Sequence, residues 1–437
     1  MSLYGSLSTA ISGLNAQSRA LGNVADNVAN SQTVGYKRVD TSFTSYITSS
    51  SRSSHLPGSV VARPDYANSA QGTVQTSDNP LSMAIAGQGF FPVSQSTGTT
   101  ADGLPSFDER AFFTRAGDFS MDRDGFLVNS QGYFLEGWTM NAAGVPDRTR
   151  VAPLRIDQSV FNPVPTSSID LAANLPADAA VGNSVTSQIQ VYDGLGKVHT
   201  VQMSYTRTAE NVWRLDMSAP DNQPAAALGS VELRFGVAAT PAAANGTLGQ
   251  IVDLDPTDGL TGAAAVAGDP AELSFGANFG QGGQPITLNL GTFGRAAGLT
   301  QFSGDQYEVR SLGQNGVPLG SFSSVSVQDN GDVSVNYDNG QSRIVARVPV
   351  ATFSDPDKLQ RVDGQAFLRT VESGEARISD VNSSGAGKLV SSAVESSNVD
   401  VASEFSKLIL AQRAYTANTR IVTTTDEMLQ DVLNMRR

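Results

Sequence analysis

The chain has 437 residues, no cysteine and only two histidines, His55 and His199, so disulfide frameworks, thiol nucleophiles and thiolate metal sites are excluded and several domains are expected. With 29 Lys and Arg against 42 Asp and Glu, the net charge of −13 has the wrong sign for a nucleic-acid or anionic-membrane binder. Charged residues are 16% of the chain against about 25% in ordinary domains, while Gly reaches 42 and Pro 19, which implies many turns and a surface of Ser, Thr, Asn and Gln.

The opening Met1-Ser2-Leu3-Tyr4-Gly5 has no basic segment and no apolar run behind it, so a cleaved signal peptide is not expected. No stretch approaches the roughly 18 consecutive apolar residues of a membrane span, and no membrane insertion is expected. From Leu3 to Val28 the spacing predicts a helix. Leu7, Leu14, Leu21 and Val28 fall at every seventh position, and Leu3, Ala10 and Val24 form a second seam interrupted by Gln17. The remaining face is small and neutral, which points to further chains packing on it.

Residues 31–70 read as an irregular connector with short extended pieces, although Tyr36, Phe43, Tyr46 and Ile47 are richer in aromatic and β-branched character than a linker requires. From Gly72 the text becomes β. Ile85-Ala86-Gly87-Gln88-Gly89-Phe90-Phe91 leads into short strands that turn at Asp124-Gly125 and Gln131-Gly132 and end near Trp138. Further strands follow at Ile189–Tyr192, Val198–Tyr205 and Val212–Leu215, then Ala- and Gly-rich loops from Ala225 to Ala277. A second meander runs from Phe322 to Val348, turning at Asn330-Gly331 and Asn339-Gly340.

The end of the chain repeats the opening design. Val401, Leu408, Tyr415, Val422 and Leu429 lie at every seventh position, with Phe405 and Leu433 on a companion seam beside Gln412, Thr419 and Asp426. Ser397-Asn398 and Asp400 offer N-terminal caps, Glu404 sits in the first turn, and Arg436-Arg437 suit the C-terminal end of the macrodipole. Helices at opposite ends of a β-rich chain have no core of their own and need partners. The expected subunit-packing set on the terminal helices is therefore Leu3, Leu7, Leu14, Leu21, Val24 and Val28 with Val401, Phe405, Leu408, Tyr415, Val422, Leu429 and Leu433.

A search for chemistry finds no catalytic, cofactor or metal site. His199 has no acid or nucleophile placed by local spacing, and His55 lies in a Ser-rich loop. Pro92 stands where a dinucleotide fingerprint needs its last glycine, and Asp253, Asp255 and Asp258 miss the spacing and the Glu of a calcium loop.

Two terminal runs carry a family resemblance. The run from Asn23 through Asn27, Asn30, Thr33, Gly35, Tyr36, Lys37 and Arg38 resembles the N-terminal signature of bacterial flagellar rod and hook proteins, with Asp26, Val28 and Ser31-Gln32 as mild departures. Ser397, Asn398, Val399 and Asp400, then Gln412, Arg413, Tyr415 and Asn418, resemble the closing signature of that family. Val191-Tyr192-Asp193-Gly194-Leu195-Gly196-Lys197-Val198-His199-Thr200 is similar to a pattern of its hook branch, and Gly298-Leu299-Thr300-Gln301-Phe302 to a segment that re-enters the inner domain.

The resemblance implies a mainly β fold with α-helical termini that pair as a coiled-coil-like domain, an irregular connector, and two β-domains, the inner one split by insertion of the outer one. The implied boundaries are 1–30 with 395–437 for the helical inner wall, 31–70 with 371–394 for the connector, 71–145 with 285–370 for the inner domain, and 146–284 for the inserted domain. It further implies a self-assembling, non-enzymatic subunit of a curved hollow tube that joins motor rod to filament outside the cell. The implied partners are further copies of itself, the distal rod protein, the hook cap, the hook-filament junction protein and the flagellar type III export apparatus. The alternatives are a distal rod protein of the same family, or a secreted β-rich carbohydrate-binding protein or enzyme. The latter two leave the paired terminal heptads unexplained.

Overall fold

The computed structural model describes residues 3–50, 55–101, 103–141, 144–304 and 306–434. Met1, Ser2 and Arg436-Arg437 lie outside the described residues, as do the side chains of Leu3, His55 and Leu433. Two long helices stand at the ends, α1 (Leu3–Ala29) and α2 (Val401–Asn434), and strands dominate between them. The chain divides into two compact units. The first comprises Met1–Gln158, Ser323–Asn336 and Ser342–Arg437, and the second Ser159–Phe322 with Tyr337–Gln341.

In the first unit, both meanders lie in one sheet. Strand Tyr133–Thr139 pairs with Phe91–Thr99 on one side, Phe134 opposite Ser94, and with Ser342–Arg347 on the other, Trp138 opposite Arg347. The Gly-Gln-Gly-Phe-Phe segment drives this packing because successive side chains on extended backbone point to opposite faces. Phe90 stacks edge-on against Phe353 and Phe367, while Phe91 meets Phe119 on the other side. Gly89 sits at φ +133, and a β-carbon there would fall 2.1 Å from Val350 Cγ1, so only glycine lets the strand turn in at this point.

The connector is more regular than expected. Residues 31–70 contain a long antiparallel hairpin, β1 (Val39–Ser50) and β2 (His55–Tyr66), that lies along α1. Its register shifts at Tyr46/Ile47 and again at Ile47/Ser49, so the alternation that announces a strand is broken midway.

The second unit has one hydrophobic core shared by two sheets. The five-stranded sheet runs in the order Ser184–Tyr192, Val198–Ala209, Val212–Ser218, Ala227–Phe235, Leu248–Asp253, and the other is six-stranded. Here the expectation of loops from Ala225 to Ala277 is corrected: strands Ala227–Phe235, Leu248–Asp253 and Pro270–Asn278 run through it. Ala271, Leu273, Phe275 and Ala277 alternate inward, and small inward residues with low β propensity conceal such a strand in sequence. The insertion also extends further than the implied 146–284. Strands Gly283–Thr292 and Glu308–Gln314 both pair with Ser168–Asn174, which places residues 285–322 in this unit. Leu299–Thr300 pairs with that same strand, so the Gly298–Phe302 segment stays in the second unit and does not re-enter the first.

Candidate assembly interface

Helices α1 and α2 run antiparallel. Gly13 faces Asn418 at one point, and Asn27 Nδ2 donates to Glu404 Oε2 at 3.1 Å at another. The deepest burial on α1 falls on Ala10, Gly13, Ala16, Ala20, Val24 and Asn27, while Leu7, Leu14, Leu21 and Val28 are only half-buried. On α2 the buried positions Glu404, Ala411 and Thr425 repeat every seventh residue with half-buried Asn418 between them. Leu408, Val422 and Leu429 flank that line half-buried, whereas Val401, Phe405 and Tyr415 are exposed. The intramolecular seam is thus a small and polar stripe, and most of the large heptad residues expected to pack between subunits lie on its flanks. Small side chains let two backbones and the hairpin approach closely, and the larger residues are displaced to the flanks.

The motif residues form one polar network beneath the helices. Asn27 Oδ1 accepts from Tyr36 Oη at 3.1 Å and from Val39 N at 2.9 Å. Asn30 accepts from Thr33 Oγ1, and Gly35, at φ +70, is pressed against the Arg115–Ala116 backbone. Asn398 Oδ1 accepts from Arg38 N, and its amide donates to the carbonyls of Ala67 and Ala70. Ser397 Oγ accepts from Val399 N, and Asp400 caps α2 through Ala402 N at 3.0 Å. Gln412 and Arg413 are instead exposed on α2.

Sequence reading missed the centre of this network, Glu395. Its fully buried carboxylate takes Lys37 Nζ at 2.5 Å and Gly72 N at 2.7 Å on Oε1, and Arg115 Nη1 at 3.0 Å on Oε2. Burial pulls the Lys37 ammonium down to about 8, against the opposing pull of Glu395. Arg115 is lowered by burial as well, and its guanidinium also donates to the Ile85 and Gly87 carbonyls. A lone Glu among Ser residues carries no local signal for this.

Above that anchor, apolar side chains stand exposed on both flanks of α2. Leu410, Ile421 and Met428 share one flank, and Val401, Phe405 and Ile409 the other. Leu410 rims a groove of about 450 Å³ between α1, α2 and β1, lined also by Ala20, Val24, Phe43 and Ala414. Lys407 lies at this groove, bonded to Asp40 Oδ1 at 2.5 Å and Glu404 Oε1 at 2.6 Å.

In the second unit, His199 does have acidic neighbours. Nδ1 lies 2.9 Å from Asp221 and Nε2 3.3 Å from Asp193, and the ring stacks on Phe279 at 4.0 Å. Asp193 is disfavoured as an anion by burial, but the Lys197 and Leu195 amides and the His199 ring outweigh this and hold its carboxyl below the usual range. No serine or threonine hydroxyl is bonded to this histidine among the described residues, and the cluster reads as packing of the Asp193–His199 motif. No group of three metal-ligating side chains occurs among the described residues.

Comparison with known proteins covers both units, with one match crossing the boundary at Gln158/Ser159. The flagella basal body rod protein model matches residues 7–37, and the flagellar basal body rod FlgEFG protein C-terminal model matches 390–435. The FlgE/F/G D1 domain model matches 84–198, and the FlaE D2 domain model covers 158–317, close to the bounds of the second unit. A flagellar hook protein FlgE of Brucella abortus is 33% identical over the whole of both chains, and that of Rhizobium meliloti 31% over the whole of both. The chain belongs to the flagellar hook protein family. The hook protein of Escherichia coli is 26% identical over 98% of this hook-family chain and 99% of its own. A solved Helicobacter pylori hook protein, FlgE2, is 13% identical with a TM-score of 0.47, covering 72% of this chain and 98% of that one.

Proposed function

We propose that the chain is a structural subunit of the bacterial flagellar hook, which polymerises through its terminal helices into an open helical tube and acts as the flexible joint between rod and filament. One observation carries this: α2 exposes apolar side chains on both flanks although its seam is already filled by α1. A helix apolar on one free flank suits a closed pair, whereas two free flanks require two neighbours. Repeated contacts between unlike surfaces generate an open helix instead of a closed ring. The full-length likeness to hook proteins supports this over the distal-rod alternative. The rod protein, hook cap, junction protein and type III export apparatus are proposed partners, and the site of action is the hook outside the cell.

The test is negative-stain microscopy of the full-length protein in precipitating salt beside a Phe405→Ser, Ile421→Ser variant. Curved tubes from the parent and folded monomers from the variant are expected, with unchanged circular dichroism. A parent that stays monodisperse where a known hook protein polymerises, or a variant that forms tubes at the parent's concentration, overturns the proposal.

A further inference from the structure

Val371 stands out on the first unit as a large apolar side chain that is 94% exposed. Its loop is braced: Thr370 N donates to Ser373 Oγ at 3.0 Å, Ser373 N donates to Thr370 Oγ1 at 3.1 Å, and Thr370 Oγ1 donates to the Lys358 carbonyl at 2.8 Å. Ser373 is fully buried, so the tip is held out by its own base. A rigid apolar tip loses little entropy on docking. The α1–α2–β1 groove offers a receptor of suitable chemistry, with Leu410 67% exposed at its rim.

Charge selects the occupant. In the loop, Arg369 is paired with Glu375, and Glu372 has no ion-pair partner among the described residues. At the groove, Lys407 is neutralised by Asp40 and Glu404. Arg413, three residues past Leu410 and so beside it on the helix surface, has no ion-pair partner among the described residues. The unpaired anion next to the tip therefore matches an unpaired cation next to the groove.

We infer that Val371 of one copy seats in the α1–α2–β1 groove of a second copy of this chain, with Glu372 meeting Arg413 at the rim. Tip and groove are different surfaces of one unit, so the contact is heterologous and does not close on itself. The inference rests on the polymerisation proposed above and adds which surfaces meet.

The absence of cysteine makes the test direct. Full-length Val371→Cys, Leu410→Cys protein, polymerised and then oxidised, is expected to give a disulfide ladder running well beyond dimers, with no ladder from either single variant. Glu372→Arg and Arg413→Glu are each expected to raise the critical concentration about threefold, and together to restore it. Val371→Ser is expected to raise it about tenfold. Tubes from the double-cysteine variant without a ladder, dimers from Val371→Cys alone, or a charge swap that does not recover would each overturn the contact while leaving polymerisation intact. A parent that forms no polymer would sink both readings.

Discussion

Gly13 of α1 faces Asn418 of α2 so closely that a β-carbon at position 13 would stand 2.9 Å from the Asn418 amide nitrogen. The obstructing atom is the far end of a flexible side chain, and alanine recovers about 1 kcal/mol of helix propensity over glycine. Gly13→Ala is therefore expected to polymerise at nearly the parent concentration. Gly13→Leu pushes the helices apart and is expected to raise the critical concentration by about tenfold or more. Sedimentation of polymer against total protein reads both.

Glu395 is the only carboxylate bonded to two buried cations in this network among the described residues, Lys37 and Arg115. Glu395→Gln keeps the shape but strands both charges, and the expected loss is about 3–5 kcal/mol. The two tryptophans make this measurable by unit, because Trp138 lies in the first and Trp213 in the second. In a Trp213→Phe background, urea unfolding followed at Trp138 should shift to lower denaturant. An unmoved midpoint would remove Glu395 from the anchor.

Lys37 gives the same region a pH signature. Its folded value of about 8 lies below the ordinary lysine value of 10.5, so between these values the unfolded chain binds more protons than the folded one. Stability of the first unit from this group therefore rises with pH across that interval, and the cost of burying the charge is fully present below pH 8. Measured from pH 7.5 to 10, the parent should gain stability relative to Lys37→Met. A constant difference would contradict the assignment.

His199 ties Phe279, Asp193 and Asp221 together in the second unit. His199→Ala removes the stacked ring and one hydrogen-bond partner of a buried carboxylate, an expected loss of about 2–4 kcal/mol. Unfolding read at Trp213 in a Trp138→Phe background should report it, with polymerisation through the helices retained.

Local repetition in the chain was enough to place both terminal helices, the two β meanders and the family signatures, because periods of 3.5 and 2 and Asn-Gly turns are written in neighbouring residues. The hairpin Val39–Tyr66 was not readable in this way, since its register shifts and polar strands mimic an irregular segment. Strand Pro270–Asn278 was hidden by alanine at inward positions. The seam within one chain is not legible in the heptads for a different reason. Heptad reading ranks positions by apolarity, whereas two paired backbones rank them by size, so Gly13, Ala20 and Ala411 went inside and Phe405 and Ile409 stayed free. What only the tertiary structure decided was which distant groups share a buried site. Lys37 and Glu395 are 358 positions apart, and Arg115 and Glu395 280, separations over which no local pattern carries information and only the closed fold imposes the pairing.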